Sequence, residues 1–263
     1  MDQMGYQPAP RGAGIGLAVL LVTITACNRT EVVQGECGPL FGADVCAWGE
    51  TAGGDLKSFG ATIPIQAIES APEEAEMVWP PVANTVVTLP EAVRAATGFQ
   101  VLTVFWEAHG HPPGPYLTPH FDFHFYGISK ADIEAIDCVD TSKPADLAAG
   151  YALPDVEIPG LGMLPGLCVP MMGMHSLPAE ELNGTDPFQK TMVVGYFRGA
   201  PIFMEPMITR ATLMEKRSFT QAVPSVPGMP AGARYPTSFR ADYDSTAQAY
   251  RFVFSDFTPA SGQ

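Results

Sequence analysis

Apolar and polar residues alternate most cleanly in Pro119-His-Phe-Asp-Phe-His-Phe-Tyr126. A period of two marks a strand whose two faces differ. It puts His120, Asp122 and His124 on one face and Phe121, Phe123 and Phe125 on the other. A solvated face would carry Lys, Glu or Thr, so this face is built for something other than water. A strand is predicted over 121–128. A second, β-branched and aromatic, is predicted over 99–107. The connection between them, residues 110–119, holds four prolines and two glycines and reads as a rigid, shaped loop.

Other elements follow from the same patterning. Residues 84–89 are β-prone. Residues 90–97 suit a helical turn stopped by Gly98. Lys130 to Asp137 reads as a short helix with Ser129 as N-cap and Asp132 in its first turn. Residues 191–197 and 202–208 form a hairpin around Arg198-Gly-Ala-Pro201, a helix continues over 209–216, and a last hairpin joins 238–243 to 249–254. Residues 141–170 are Pro- and Gly-rich and irregular. The expected fold is α+β: predominantly antiparallel β-sheet with a few short helices and long Pro/Gly-rich loops. Residues 61–257 are expected to form a single His-rich domain, with 27–60 as an N-terminal linker and cystine loop.

The first residues stand apart. Arg11 precedes an apolar run from Ile15 to Ile24, about the length of a signal-peptide core and short for a bilayer span. The run ends in Ile24-Thr-Ala-Cys27, which resembles a bacterial lipobox. Residues 1–26 are therefore read as a lipoprotein signal peptide and Cys27 as the lipidation site, against the alternative of ordinary cleavage near Ala26. The expectation is an exported chain in the cell envelope, periplasmic or surface-facing and held to a membrane by its N-terminal lipid.

The net charge is -14, with 28 acidic against 14 basic residues and no basic stripe. Nucleic acid is excluded as a partner on that ground. The four cysteines after Cys27 are Cys37, Cys46, Cys138 and Cys168, an even number suited to disulfides in an exported chain. Of the three connectivities, the local pairing Cys37–Cys46 with Cys138–Cys168 is preferred.

The chain has five histidines, four of them within sixteen residues. Imidazole is the commonest protein ligand for transition metals, so His109, His111, His120, His124 and His175 are candidate ligands for zinc first, with copper, nickel or iron as alternatives. Residues four apart on a strand are separated by about 13 Å. His120 and His124 therefore imply either one site using a subset or two neighbouring sites with Asp122 between them. Gly110 lets the backbone turn sharply within His109-Gly-His111. Asp122 is a candidate ligand or a hydrogen-bond partner of one. Glu205, an acid in an apolar strand, is a candidate ligand or an ion-pair partner of Arg210. Met171, Met172 and Met174 beside His175 suit soft copper or ordinary core filling. No Gly-x-Ser-x-Gly elbow, phosphate loop or dinucleotide fingerprint occurs. A cupin-type reading of His109-Gly-His111 fails because Pro112-Pro-Gly-Pro follows, where a Glu is needed.

Three strings together resemble a family of bacterial domains of unknown function. They are His109-Gly-His-Pro-Pro-Gly-Pro-Tyr116 leading into Pro119-His-Phe-Asp-Phe-His-Phe-Tyr126, then Met172-Gly-Met-His175, and Gly195-Tyr-Phe-Arg-Gly-Ala-Pro-Ile-Phe-Met-Glu-Pro-Met-Ile-Thr209. That family occurs in exported proteins and lipoproteins and includes a sigma-factor-controlled member in Thermus. The resemblance covers roughly residues 60–255 and departs at Ser176, where an aromatic is expected. It implies a shared fold and site and brings no activity.

Three functions are consistent with these residues. The first is a metal-binding, metal-sensing or structural metal domain. The second is a metal-dependent hydrolase or lyase with Asp122 or Glu205 as general base. The third is a metal-free module that assembles into a homo-oligomer through a His/Asp network. An enzyme requires an open cleft and three protein ligands, whereas a binding or structural site requires a closed shell.

Overall fold

A computed structural model describes Met1 and residues 29–75, 78–229 and 233–259. Cys27 and the apolar run before it lie outside the described residues. Two antiparallel sheets carry the fold. The first orders β1 (Thr30–Leu40), β2 (Ala43–Ala52), β3 (Asp55–Pro64), β15 (Ala249–Pro259), β14 (Arg234–Asp244) and β13 (Phe219–Ala222). The second orders β4 (Thr85–Thr88), β5 (Val101–Glu107), β6 (His120–Tyr126), β12 (Ala200–Thr209), β11 (Lys190–Phe197), β10 (Met174–Pro178) and β7 (Tyr151–Ala152). A small hairpin of β8 (Val156–Ile158) and β9 (Gly162–Leu164) stands separately. Among the described residues, five short α-helices connect them: α1 (Ile65–Glu69), α2 (Glu91–Thr97), α3 (Lys130–Glu134), α4 (Ala179–Leu182) and α5 (Arg210–Met214). No helix among the described residues is long and apolar enough to cross a membrane.

The sheets pack face to face through an aromatic core. Phe123 meets Phe252 edge-on at 4.8 Å between ring centroids, Phe125 meets Phe254 at 5.0 Å, and Phe59 stacks on Phe254 at 5.3 Å. Edge and offset arrangements of this kind add to simple area burial. The three phenylalanines of β6 are completely buried there, as the alternation requires. The local signals hold as well. Gly98 takes a left-handed conformation (φ +81°) to end α2, and Ser129 with Asp132 forms a capping box on α3.

The structure departs from the sequence reading over residues 30–64. What reads as linker and cystine loop is three long strands, and β3 pairs with β15 across residue 60. Cys37 and Cys46 are directly opposed on β1 and β2, so their disulfide clamps two strands of the sheet. Glycines hid the period. A Cβ on Gly60, for instance, would lie 1.8 Å from the Phe252 carbonyl oxygen, so this close approach of β3 and β15 admits only glycine.

The outer face of the second sheet is not open to solvent. Chain from the loop after β5 and from residues 136–173 lies over it, closing an apolar cluster that includes Tyr116, Ile136, Leu167, Phe188 and Phe203. The second disulfide, Cys138–Cys168, ties that cover together. Both pairings are the expected ones, and two disulfides suit an oxidising environment.

Candidate metal centre

β6 lies between β5 and β12, and the register brings acids to its histidines. Glu107 of β5 is opposite His120, and Glu205 falls within reach of His124 from β12. β10 adds His175, and the loop after β5 brings back His111. Gly110 makes that return possible: at φ +67°, a Cβ there would lie 2.2 Å from the Tyr116 carbonyl oxygen.

Two triads result. In the first, His120 Nε2 lies 3.2 Å from Asp122 Oδ1, and His111 Nε2 lies 3.8 Å from Asp122 Oδ2. In the second, His124 Nε2 lies 3.4 Å from Glu205 Oε2 and 3.4 Å from His175 Nε2. Five of the six side chains are buried, and His111 keeps 30% of its side chain exposed. His109 stands outside both triads. It is exposed, and its Nε2 is 3.5 Å from Glu74 Oε2. Glu205 does not pair with Arg210, which donates instead to the carbonyls of Ile68 and Glu69. Alternation along β10 sends Met174 into the inter-sheet core while His175 faces the site.

The far side of three rings is fixed by carbonyls. His120 Nδ1–H donates to Thr118 O at 2.6 Å, His175 Nδ1–H to Leu167 O at 3.0 Å, and His111 Nδ1–H to Pro112 O at 2.9 Å. Each bond holds the Nδ1 proton, so each neutral ring turns its Nε2 lone pair toward the triad. Metal-ligating histidines are oriented in this way by their outer hydrogen bonds. Aromatic rings close around them. Phe203 sits 4.7 Å from His124 and 5.1 Å from His175, and Phe188 sits 5.2 Å from His120. Gly195, opposite Phe203 on β11, gives that ring its room: a Cβ there would lie 1.9 Å from the ring's Cε1.

Several buried polar atoms in this shell have no hydrogen-bond partner: His120 Nε2, Asp122 Oδ1, His124 Nδ1 and Glu205 Oε2. His120 and Asp122 approach closely but out of line for a hydrogen bond. A buried polar atom left unpaired costs about 1–3 kcal/mol. A cation in each triad would satisfy three of these four at once. The spacing fits as well, since ligands 2.0–2.1 Å from a tetrahedral zinc stand about 3.3 Å apart.

The electrostatics leave three of the four triad rings neutral. Burial, reinforced by the neighbouring His175, lowers His124 to about 3, and burial lowers His175 to about 4. Burial and the adjacent His120 also lower His111. All three rings are therefore neutral near pH 7, the form that binds metal. For His120, burial opposes the charged ring but the Asp122 carboxylate outweighs it and raises the pKa. For Asp122, burial is likewise outweighed, here by His120 and the surrounding imidazoles, and its carboxyl is held well below the usual range. Burial pushes Glu205 well up, and the nearby Asp122 carboxylate adds to this.

Sequence reasoning missed Glu107. Burial, with Asp122 next in weight, raises it to about 7. Its signal was present: Thr103, Phe105 and Glu107 alternate onto the face that β5 shares with the histidines of β6. Placed at a strand end, however, it reads as an ordinary solvated acid.

A cavity of about 390 Å³ opens above the centre, with Glu107, His111, Asp122 and His175 at its base. Compared with protein-family models, with curated proteins and with solved structures, the chain matches none.

Proposed function

We propose that the two triads bind transition-metal ions, zinc foremost, and that the chain is a metal-binding domain of the cell envelope, exported and anchored through a lipid on Cys27. The observation that carries the metal reading is the unpaired ligand atoms, His120 Nε2 and Asp122 Oδ1 in one triad and Glu205 Oε2 in the other, with three of the four rings fixed from behind. A metal-free network would draw on the contact between His124 and His175 and on Asp122 facing both His120 and Glu205, but it leaves His120 Nε2 and Asp122 Oδ1 without a well-aligned partner. Export draws support from the disulfides, the lipobox-like Ile24-Thr-Ala-Cys27 and the resemblance to exported domains.

A second reading, a metal-dependent hydrolase or lyase, is favoured by the cleft. Three protein groups per ion leave a fourth position free, as in catalytic zinc sites. Such an ion lowers the pKa of bound water toward neutrality. With Asp122 and Glu205 occupied as ligands, Glu107, poised near 7 at the base of the cleft, is the better placed general base.

The test is elemental analysis by mass spectrometry of the full chain, purified without a histidine tag and equilibrated with zinc. Up to two equivalents are expected. His120→Ala and His124→Ala should each lose about one, while His109→Ala should lose none. No retained metal from zinc, copper, nickel or iron would overturn both readings and leave an assembly network as the role of the histidines.

A further inference from the structure

The walls of the cleft carry information that the metal ligands do not. Above the acidic and histidine base, the lining is apolar: Leu117, Ile158, Leu161, Val169 and Met172, with Trp79 packed against the cluster that Val169 and Met172 belong to. Leu117 and Leu161 remain 59% and 40% exposed, an uncommon placement for large aliphatic side chains flanking a polar centre. None of the lining residues is Lys or Arg. A neighbouring cavity of about 310 Å³ shares Pro81, Glu107, His109 and Gly110 with the first and is lined further by Phe41, Val78, Val82 and Phe105.

A site that only stores or transfers a bare ion has no use for apolar walls, because the ion and its waters are polar. A site for a nucleotide, a sugar phosphate or another polyanion is built around Lys or Arg, and this lining has neither. A volume near 390 Å³ lies within the range of small-molecule sites and is far below what a folded partner would fill.

We infer that the cleft receives a small apolar molecule carrying one compact oxygen-donor head group, of the acyl or amide kind, with its hydrocarbon part against Leu161, Val169 and Met172 and its head directed at the triads. The head-group half rests on the proposed metal centre; the hydrocarbon half rests on the walls alone.

The test titrates the full, zinc-equilibrated chain with acetohydroxamate and octanohydroxamate, which share a metal-binding head and differ by six methylenes. Each fully buried methylene contributes about fourfold in affinity, so the longer compound is expected to bind at least about a hundredfold more tightly. Leu161→Asp, at an exposed position that does not threaten folding, should reduce that advantage by about tenfold or more and leave acetohydroxamate unchanged. Equal affinity for the two compounds, or equal weakening of both by Leu161→Asp, would overturn the proposal. Repeating the series on chelator-treated protein separates the two halves. A chain-length preference that persists after chelation, with acetohydroxamate bound no more weakly than before it, upholds the apolar site and sinks the metal-directed head group. Metal bound stoichiometrically with no chain-length preference upholds the centre and sinks the apolar ligand.

Discussion

The two faces of β6 are equally buried and obey opposite rules. Phe121, Phe123 and Phe125 have no exposed surface, and every atom they bury is apolar and packed on aromatic partners. His120, Asp122 and His124 are buried almost as completely, yet His120 Nε2, Asp122 Oδ1 and His124 Nδ1 are left without a hydrogen-bond partner. Burial alone therefore separates nothing on this strand. The distinction lies in whether each buried group is satisfied by the protein itself, and on the outer face it is not. One face stabilises the fold, while the other lowers its stability in return for a place where a ligand must supply what is missing.

The sharpest break of that comparison is Phe123→Ala. Removing a ring from the inner face leaves a cavity against Phe252 and should cost about 3–5 kcal/mol in denaturant unfolding. The metal content of the protein that remains folded should be unchanged. A loss below about 1 kcal/mol would mean that the inner face is not the close-packed layer described.

The outer face should respond with the opposite sign. In chelator-treated protein, Glu205→Leu replaces an unpaired buried carboxyl with an apolar group and should leave stability unchanged or raise it by about 1–3 kcal/mol. In zinc-equilibrated protein the same change should remove one ion and the stabilisation that accompanies it. Destabilisation of the chelated protein by several kcal/mol would show that Glu205 has a protein partner.

The smallest effect is a slope. Folding holds His175 neutral down to about pH 4, whereas in the unfolded chain it takes up a proton below about 6.5. Stability from this ring is thus fully present above 6.5 and is lost as pH falls toward 4. In chelated protein, His175→Gln should flatten the dependence by about 1 kcal/mol per pH unit across that window. Glu107 and Glu205, whose carboxyls are raised, act with the opposite sign there, but they are present in both proteins and cancel in the difference. Identical slopes would place a counter-charge beside His175.

Where side chains reveal their own environment, the sequence was readable. The period of two exposed both faces of β6, and the caps, turn glycines and aromatic runs located most of the second sheet. What escaped notice depended on partners distant in the chain. β1 to β3 are interrupted by glycines that only make sense once Phe252 is seen crossing Gly60. Strand spacing already offered two neighbouring sites as one option, but which ligands each would take was hidden: His109 and His111 look equivalent as a His-x-His pair, and only the return of the loop at Gly110 sends one inward and leaves the other beside Glu74. Glu107 became visible only when β5 and β6 were known to be neighbours.

The second triad unites His124, His175 and Glu205, residues up to 81 positions apart on three different strands. None of its pairs can form from a local segment, so the ion has nothing to grasp until the long-range sheet has closed. In a zinc finger the metal gathers the chain; here the chain must first become a finished vessel, with its spacing already set by the sheet. An ion held there would act late in the protein's life: it would tell a completed molecule from an unfinished one, and be selected by the fixed distances the sheet offers.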